Sequence, residues 1–183
     1  MMALPEQPPI LLGALGERML MTAGEIADGV CLNWIAAAAV ATAIDNVRKG
    51  GDAATAVFVR VCVTDDVESA RAWGRRELMG YVIVPAYRRA FERQGFGDVC
   101  TTAMAAWDAG DRKGAAASLP DEFVDELCIS GSSEQVRAKF GRFRAAGVDE
   151  PVAFPFSGAG TAEGIRAELE ATLAALAPAA GAE

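Results

Sequence analysis

The stretch that most narrows the folds open to this chain is AVFVRVCVT, Ala56 to Thr64. It is dense in β-branched residues and reads as a strand. Its period of two puts Val57, Val59, Val61 and Val63 on one face and Phe58, Arg60, Cys62 and Thr64 on the other. Three more short apolar runs share its character: PPILLGA (Pro8 to Ala14), DGVCLNW (Asp28 to Trp34) and EPVAFPF (Glu150 to Phe156). The first, bounded by Pro and Gly, suits a buried parallel strand.

Helical patterns separate these runs. GERMLMTAGEIA spaces Met19, Ala23 and Ile26 as a helix does, and AAAAVATAIDNVRKGG carries Arg48 and Lys49 before a stop at Gly50-Gly51. Asp66 to Gln94 is helical, interrupted at Gly74 and Pro85, so two segments are expected there. Short helices follow over Val99 to Gly114 and Asp121 to Leu127, the latter led by Pro120. Ser132 and Gln135 stand in capping-box spacing ahead of a helix that ends at Gly147, and Thr161 to Ala179 closes the pattern. Strands alternating with helices make an α/β protein with parallel strands. The expected architecture is of TIM-barrel (β/α)8 type, with roughly half the units of a barrel that needs ~250 residues. A small doubly wound parallel sheet is the alternative, although its G-x-G-x-x-G fingerprint is missing. The 183 residues read as a single domain, with a helical excursion over 65–120.

Composition removes several functions. A net charge of -8 and no basic run argue against nucleic acid, and apolar stretches such as Ile35 to Ala41 are too short for a membrane span. Without a signal-peptide pattern at the start, the expectation is a soluble, cytoplasmic protein. Histidine is absent, and Cys31, Cys62, Cys100 and Cys128 form no C-x-x-C pair, so no metal site is expected and the cysteines read as reduced and buried. The commonest general base is absent as well, and no residue is assigned a catalytic role.

The candidate binding features lie at the ends of strands. GALGER, Gly13 to Arg18, puts two glycines between a strand and a helix, where unpaired amides and a partial positive charge suit a phosphate. Those glycines would admit close approach and positive φ; the plain alternative is a connection that holds nothing. Asn33 and Trp34 close the second strand at its carboxyl end, as hydrogen-bonding and wall residues or as a cap and a core residue. Arg60 points away from the valine face and needs a partner, either a carboxylate of the fold or an anionic ligand. FPFSGAGTAEG offers a second glycine-rich turn with donors at Ser157, Gly158 and Gly160. Asp65-Asp66 and PDEFVDE read as structural acids at helix starts, and Arg88, Arg89 and Arg93 as a solvated helix face.

Two longer segments carry a resemblance. PPILLGALGERMLMTAGEIADGVCLNW and LPDEFVDELCISGSSEQVRAKFGRFRAAGVDEPVAFP resemble, in order and separation, stretches of the luciferase-like monooxygenases, most closely the branch that uses the deazaflavin coenzyme F-420. The resemblance implies the second half of a (β/α)8 barrel, strands five to eight, belonging to an oxidoreductase that transfers hydride to or from a small-molecule substrate with F-420, or alternatively FMN. It places cofactor contacts on Gly13, Ala14, Leu15, Gly16, Glu17 and Arg18; from their places on the strands, not from the resemblance, Asn33 is the further candidate cofactor contact and Trp34 and Arg60 are the candidate substrate contacts. The family often has Pro where this chain has Glu17. A half-barrel leaves strand edges and an apolar inner face open, so the expectation is a homo-oligomer or a complementing N-terminal half. The alternative is a truncated, non-catalytic half-barrel.

Overall fold

The computed structural model describes residues 8–177. The parallel sheet consists of β1 (Leu11–Gly13), β2 (Gly29–Asn33), β3 (Ala54–Val63), β4 (Cys128–Gly131) and β5 (Glu150–Pro155). β3 pairs with β2 over Ala54 to Phe58, with β4 over Arg60 to Val63, and with β5 over Ala56 to Val61. A strand has only two edges. The β2 and β4 registers do not overlap, so those strands share one edge of β3 and β5 takes the other. Among the described residues β1 and β5 each have a single ladder partner.

The two faces differ as the alternation in β3 requires. Val57, Val59 and Val61 are buried with Val30 and Leu32 under α1 (Glu17–Ile26), α2 (Ala37–Arg48) and α8 (Ser133–Ala145). Burial of each such side chain contributes about 1.5–3 kcal/mol before entropy is counted. On the opposite face Phe58 and Phe154 stay 38% and 49% exposed, stacked edge to face at 6.4 Å, and Leu11 is exposed with them. Among the described residues nothing covers that apolar face at Leu11, Phe58 and Phe154.

Between β3 and β4 the chain is helical: α3 (Val67–Val82), α4 (Pro85–Phe91), a π-helical turn (Glu92–Phe96), α5 (Gly97–Asp108), α6 (Arg112–Ala117) and α7 (Asp121–Leu127). This excursion forms its own core around Phe91, Leu78 and Phe123, which reaches Trp34 and Cys62 at the sheet. Arg71 is bidentate to Asp125 at 3.0 and 2.7 Å and also bridges to Asp121, stapling α3 to α7. Those acids therefore pair across helices in addition to standing near a helix start.

Several expectations change. The helix does not break at Gly74: α3 runs through it, and a Cβ there would lie 2.7 Å from Val124 Cγ1, so the glycine admits α7. The break falls at Pro85 alone. In α1 the buried residues are Leu20, Ala23 and Gly24, while Met19 and Ile26 are exposed. The helix is rotated because Gly24 meets the backbone of α2. β4 falls between the expected helices, in residues to which the sequence pattern assigns no element; four residues carry too little pattern, and pairing with β3 makes the strand. The capping box of Ser132 and Gln135 and the left-handed Gly147 (φ 99°) bound α8 as expected. α9 (Ala162–Leu176) ends three residues before the expected Ala179, and 178–183, like 1–7, lie outside the described residues.

Candidate functional site

Backbone groups at the carboxyl end of β1 come first. Ala14 N–H donates to Cys31 O at 3.4 Å, which seats the turn against β2. Gly16 is the N-cap of α1 and supplies no side chain, and the first amide of the helix with an acceptor is Leu20, bonded to Gly16 O at 2.9 Å. The amides of Gly16, Glu17 and Arg18 find no acceptor among the described residues. Such free donors carry the positive end of the helix dipole. Neither glycine has positive φ, contrary to expectation. A Cβ would meet nothing within 4 Å at Gly13 and only Arg93 Nη2, at 3.8 Å, at Gly16. Glycine here leaves the amides open to approach and does not serve the turn itself.

A second group sits at the end of β2. Trp34 is buried with φ 54°, a left-handed conformation that costs a bulky residue of order 1–3 kcal/mol. Its indole Nε1 is buried with no hydrogen-bond partner among the described residues. Asn33 does not cap a helix. Its Oδ1 accepts from Arg60 Nη1 and its Nδ2 donates to Tyr87 Oη at 3.1 Å. Arg60 lies between aromatic rings, 4.0 Å from the Trp34 centroid and 4.8 Å from that of Phe154. It is buried as expected, yet among the described residues no carboxylate pairs with it. Burial pulls its pKa down against the opposing pull of Tyr81, Cys128 and Glu77. Arg60 Nη1 also reaches Phe58 O at 3.4 Å, and a guanidinium held by rings, one amide and one carbonyl through that nitrogen retains donors for a further acceptor.

A cavity of about 490 Å³ joins the two groups, within the size range of small-molecule sites. Ala14, Leu15, Glu17 and Asn33 line it, with Arg93 and Gln94 from the π-helical turn. Gly13, Gly16, Arg18, Trp34 and Arg60 are not on its wall, and Arg60 is linked to it through its hydrogen bond to Asn33. Sequence reasoning missed Arg93, Gln94 and Tyr87. Arg93 crosses to Leu15 O at 2.8 Å and is not simply solvated. Gln94 accepts from Ala36 N–H at 2.8 Å and donates to Trp34 O at 3.2 Å. Gly95, at φ 92°, permits the π-helical turn that aims both side chains. Pro85 signalled that a new helix begins here, but nothing in the sequence told which strand end it would reach.

The second glycine-rich turn is not open, because Glu168 takes the donors of Ser157 and Gly158. The cysteines are free. Burial pushes the Cys62 and Cys100 thiols up to about 12 and about 11, so they stay protonated at neutral pH and are poor nucleophiles. Among the described residues no acid or cysteine cluster would hold a metal ion, and no helix is long and apolar enough to cross a membrane.

Comparisons with known proteins bear on this arrangement. The family model for luciferase-like monooxygenases matches residues 2–150. A 5,10-methylenetetrahydromethanopterin reductase of Archaeoglobus fulgidus is 28% identical over 162 residues, 81% of this chain and 48% of that protein. A putative coenzyme F-420-dependent oxidoreductase of Mycobacterium tuberculosis is 27% identical over 176 residues, 86% of this chain and 49% of that protein. The chain thus spans about half the length of the curated relatives it matches. In fold it is similar to the coenzyme F-420-dependent tetrahydromethanopterin reductase of Methanopyrus kandleri, with a TM-score of 0.65 and 22% identity over 80% of this chain and 44% of that one. An F-420-dependent secondary alcohol dehydrogenase, in complex with an F-420-acetone adduct, gives 0.59 at 11% identity over 95% and 50%.

Proposed function

The chain belongs to the luciferase-like monooxygenase family, and from that premise we propose that it is the C-terminal part of a (β/α)8 oxidoreductase that transfers hydride with coenzyme F-420. The observation that carries this reading is the uncapped N-terminus of α1, opening beside a cavity lined by both the β1 turn and Asn33. Free amides at a strand's carboxyl end fit a cofactor phosphate. The orphaned Trp34 Nε1, a buried donor with no acceptor, fits a site completed by a ligand. When bound, the deazaflavin supplies the hydride chemistry; the protein supplies orientation and electrostatics.

Each residue then has a task. The amides of Gly16 to Arg18 would hold the phosphate, with Ala14 and Leu15 shaping the approach from Gly13. Arg93, over the same turn, offsets the charge of Glu17 at the cavity wall. Asn33 is held by Tyr87 and Arg60, which fixes its amide at the cavity wall, where it would hydrogen-bond the cofactor. Trp34 stacks on Arg60, whose remaining N–H groups would take an anionic or carbonyl group of a small-molecule substrate. FMN carries a phosphate too and serves as the competing cofactor in the test.

Titration of F-420 and of FMN, followed by fluorescence, should show saturable F-420 binding by the full chain. Gly16→Val should weaken it at least about tenfold while costing the fold only about 1 kcal/mol, since a Cβ there meets nothing closer than 3.8 Å. Equal binding by wild type and variant would reduce the turn to a connection.

The uncovered Leu11, Phe58 and Phe154 favour a companion reading for the chain on its own. A complementing N-terminal half-barrel or a second copy covers this face, and without one the chain is a non-catalytic half-barrel. Light scattering at micromolar concentration is expected to report a species larger than a monomer, and a stable monomer would sink this reading.

A further inference from the structure

The turn after β5 gathers donors around one carboxylate. Glu168 Oε2 accepts from Ser157 Oγ, from Gly158 N–H at 3.1 Å and from Ala159 N–H at 3.3 Å. Its Oε1 accepts from Thr64 Oγ1, in the loop after β3, at 2.6 Å, and Cys62 Sγ approaches Oε2 at 3.7 Å. Donors from the carboxyl ends of two neighbouring parallel strands thus converge on a side chain that α9 brings in from 104 residues beyond Thr64. That corner is where α/β proteins place the anionic group of a ligand, and consecutive backbone amides form a concavity for it.

Packing holds the donors in place without help from the carboxylate. Gly158 is wedged against α3, where a Cβ would lie 2.7 Å from Ser69 O. One turn along α9, Thr172 Oγ1 accepts from Val63 N–H and donates to Glu168 O, both at 2.7 Å, so the helix is pinned to β3 independently. Burial alone would raise the Glu168 carboxyl, but the donors of Ser157, Thr64, Ala159 and Gly158 hold it below the usual carboxylate range.

We propose that this corner is a preformed oxyanion nest whose resident occupant is Glu168, and that removal of the side chain lets it take a small free carboxylate such as formate or acetate. The inference is independent of the cofactor reading. Its consequence for any anionic ligand is exclusion from this corner while Glu168 is in place.

The test compares thermal melts of the full-length wild type and Glu168→Gly in formate, acetate and chloride at matched ionic strength. The variant should melt lower by about 5 °C, from loss of charge-assisted hydrogen bonds. Formate or acetate should restore part of that loss saturably and slow amide exchange at Gly158 and Ala159, with no comparable gain in the wild type. A variant that responds no differently from the wild type overturns the proposal. Should Glu168→Gly not fold in chloride, recovery of its circular dichroism on adding formate supports the nest. The neutral isostere Glu168→Gln then gives a second check, since unchanged amide protection at Gly158 and Ala159 in that variant overturns it.

Discussion

Gly24→Val is expected to destabilise the chain by about 3 kcal/mol or more, the upper range for overpacking. A Cβ on Gly24 would overlap the carbonyl oxygen of Val47 and lie 3.2 Å from Gly51 N. Gly50 and Gly51 face the backbone of α1 in the same way, at Met21 and Gly24. Backbone packs on backbone at this crossing, and no rotamer change can relieve a clash with a carbonyl. The helices must separate, which lifts Leu20 and Ala23 from the core they share with Val40 and Val47. Gly80→Ala is the contrast: Gly80 lies in α3 with nothing within 4 Å of its Cβ position, so helix propensity should add about 0.5–1 kcal/mol. Urea denaturation of the two variants reads the difference. A loss below about 1 kcal/mol for Gly24→Val would mean that α1 is not seated as described. Because the free amides at the start of α1 open beside the cavity, the same variant should also weaken the proposed F-420 binding.

That glycine contact marks where the sequence stopped being readable. Gly50-Gly51 signals a helix end, which is a local property, but the same residues also receive α1, and no local signal reports it. The faces of β3 were legible because a period of two fixes which residues share a side. The capping box at Ser132 was legible because both of its hydrogen bonds close within three residues. Arg93 with Leu15, Gln94 with Trp34 and Glu168 with Thr64 pair across 78, 60 and 104 residues. Their partners are set by how the helical excursion and α9 dock on the strand ends, and polarity along the chain says nothing of that. The turn at Gly13 to Arg18 was located from sequence, with its free amides, yet the role given to glycine φ was wrong. The helix entry is extended (φ -117° at Gly16), and only the open approach survives as a reason for glycine.

Arg60 provides the sharper division between folding and function. Replacing it with Met should leave stability unchanged or raise it by about 1 kcal/mol, because a buried cation without a carboxylate carries a desolvation cost that an apolar side chain of similar volume does not. Arg60→Ala should instead cost about 2–4 kcal/mol. It removes the stack between Trp34 and Phe154 and opens a cavity, whereas the loss of the donor to Asn33 Oδ1 is common to both variants. The gap between the two variants separates what the stem and rings contribute from what the charge contributes. A residue whose packing is needed for the fold, but whose charge is not, keeps that charge for something it binds. Chemical denaturation of both variants decides the matter. If Arg60→Met loses 3 kcal/mol or more, about as much as Arg60→Ala, the guanidinium is a structural ion and its proposed substrate contact falls.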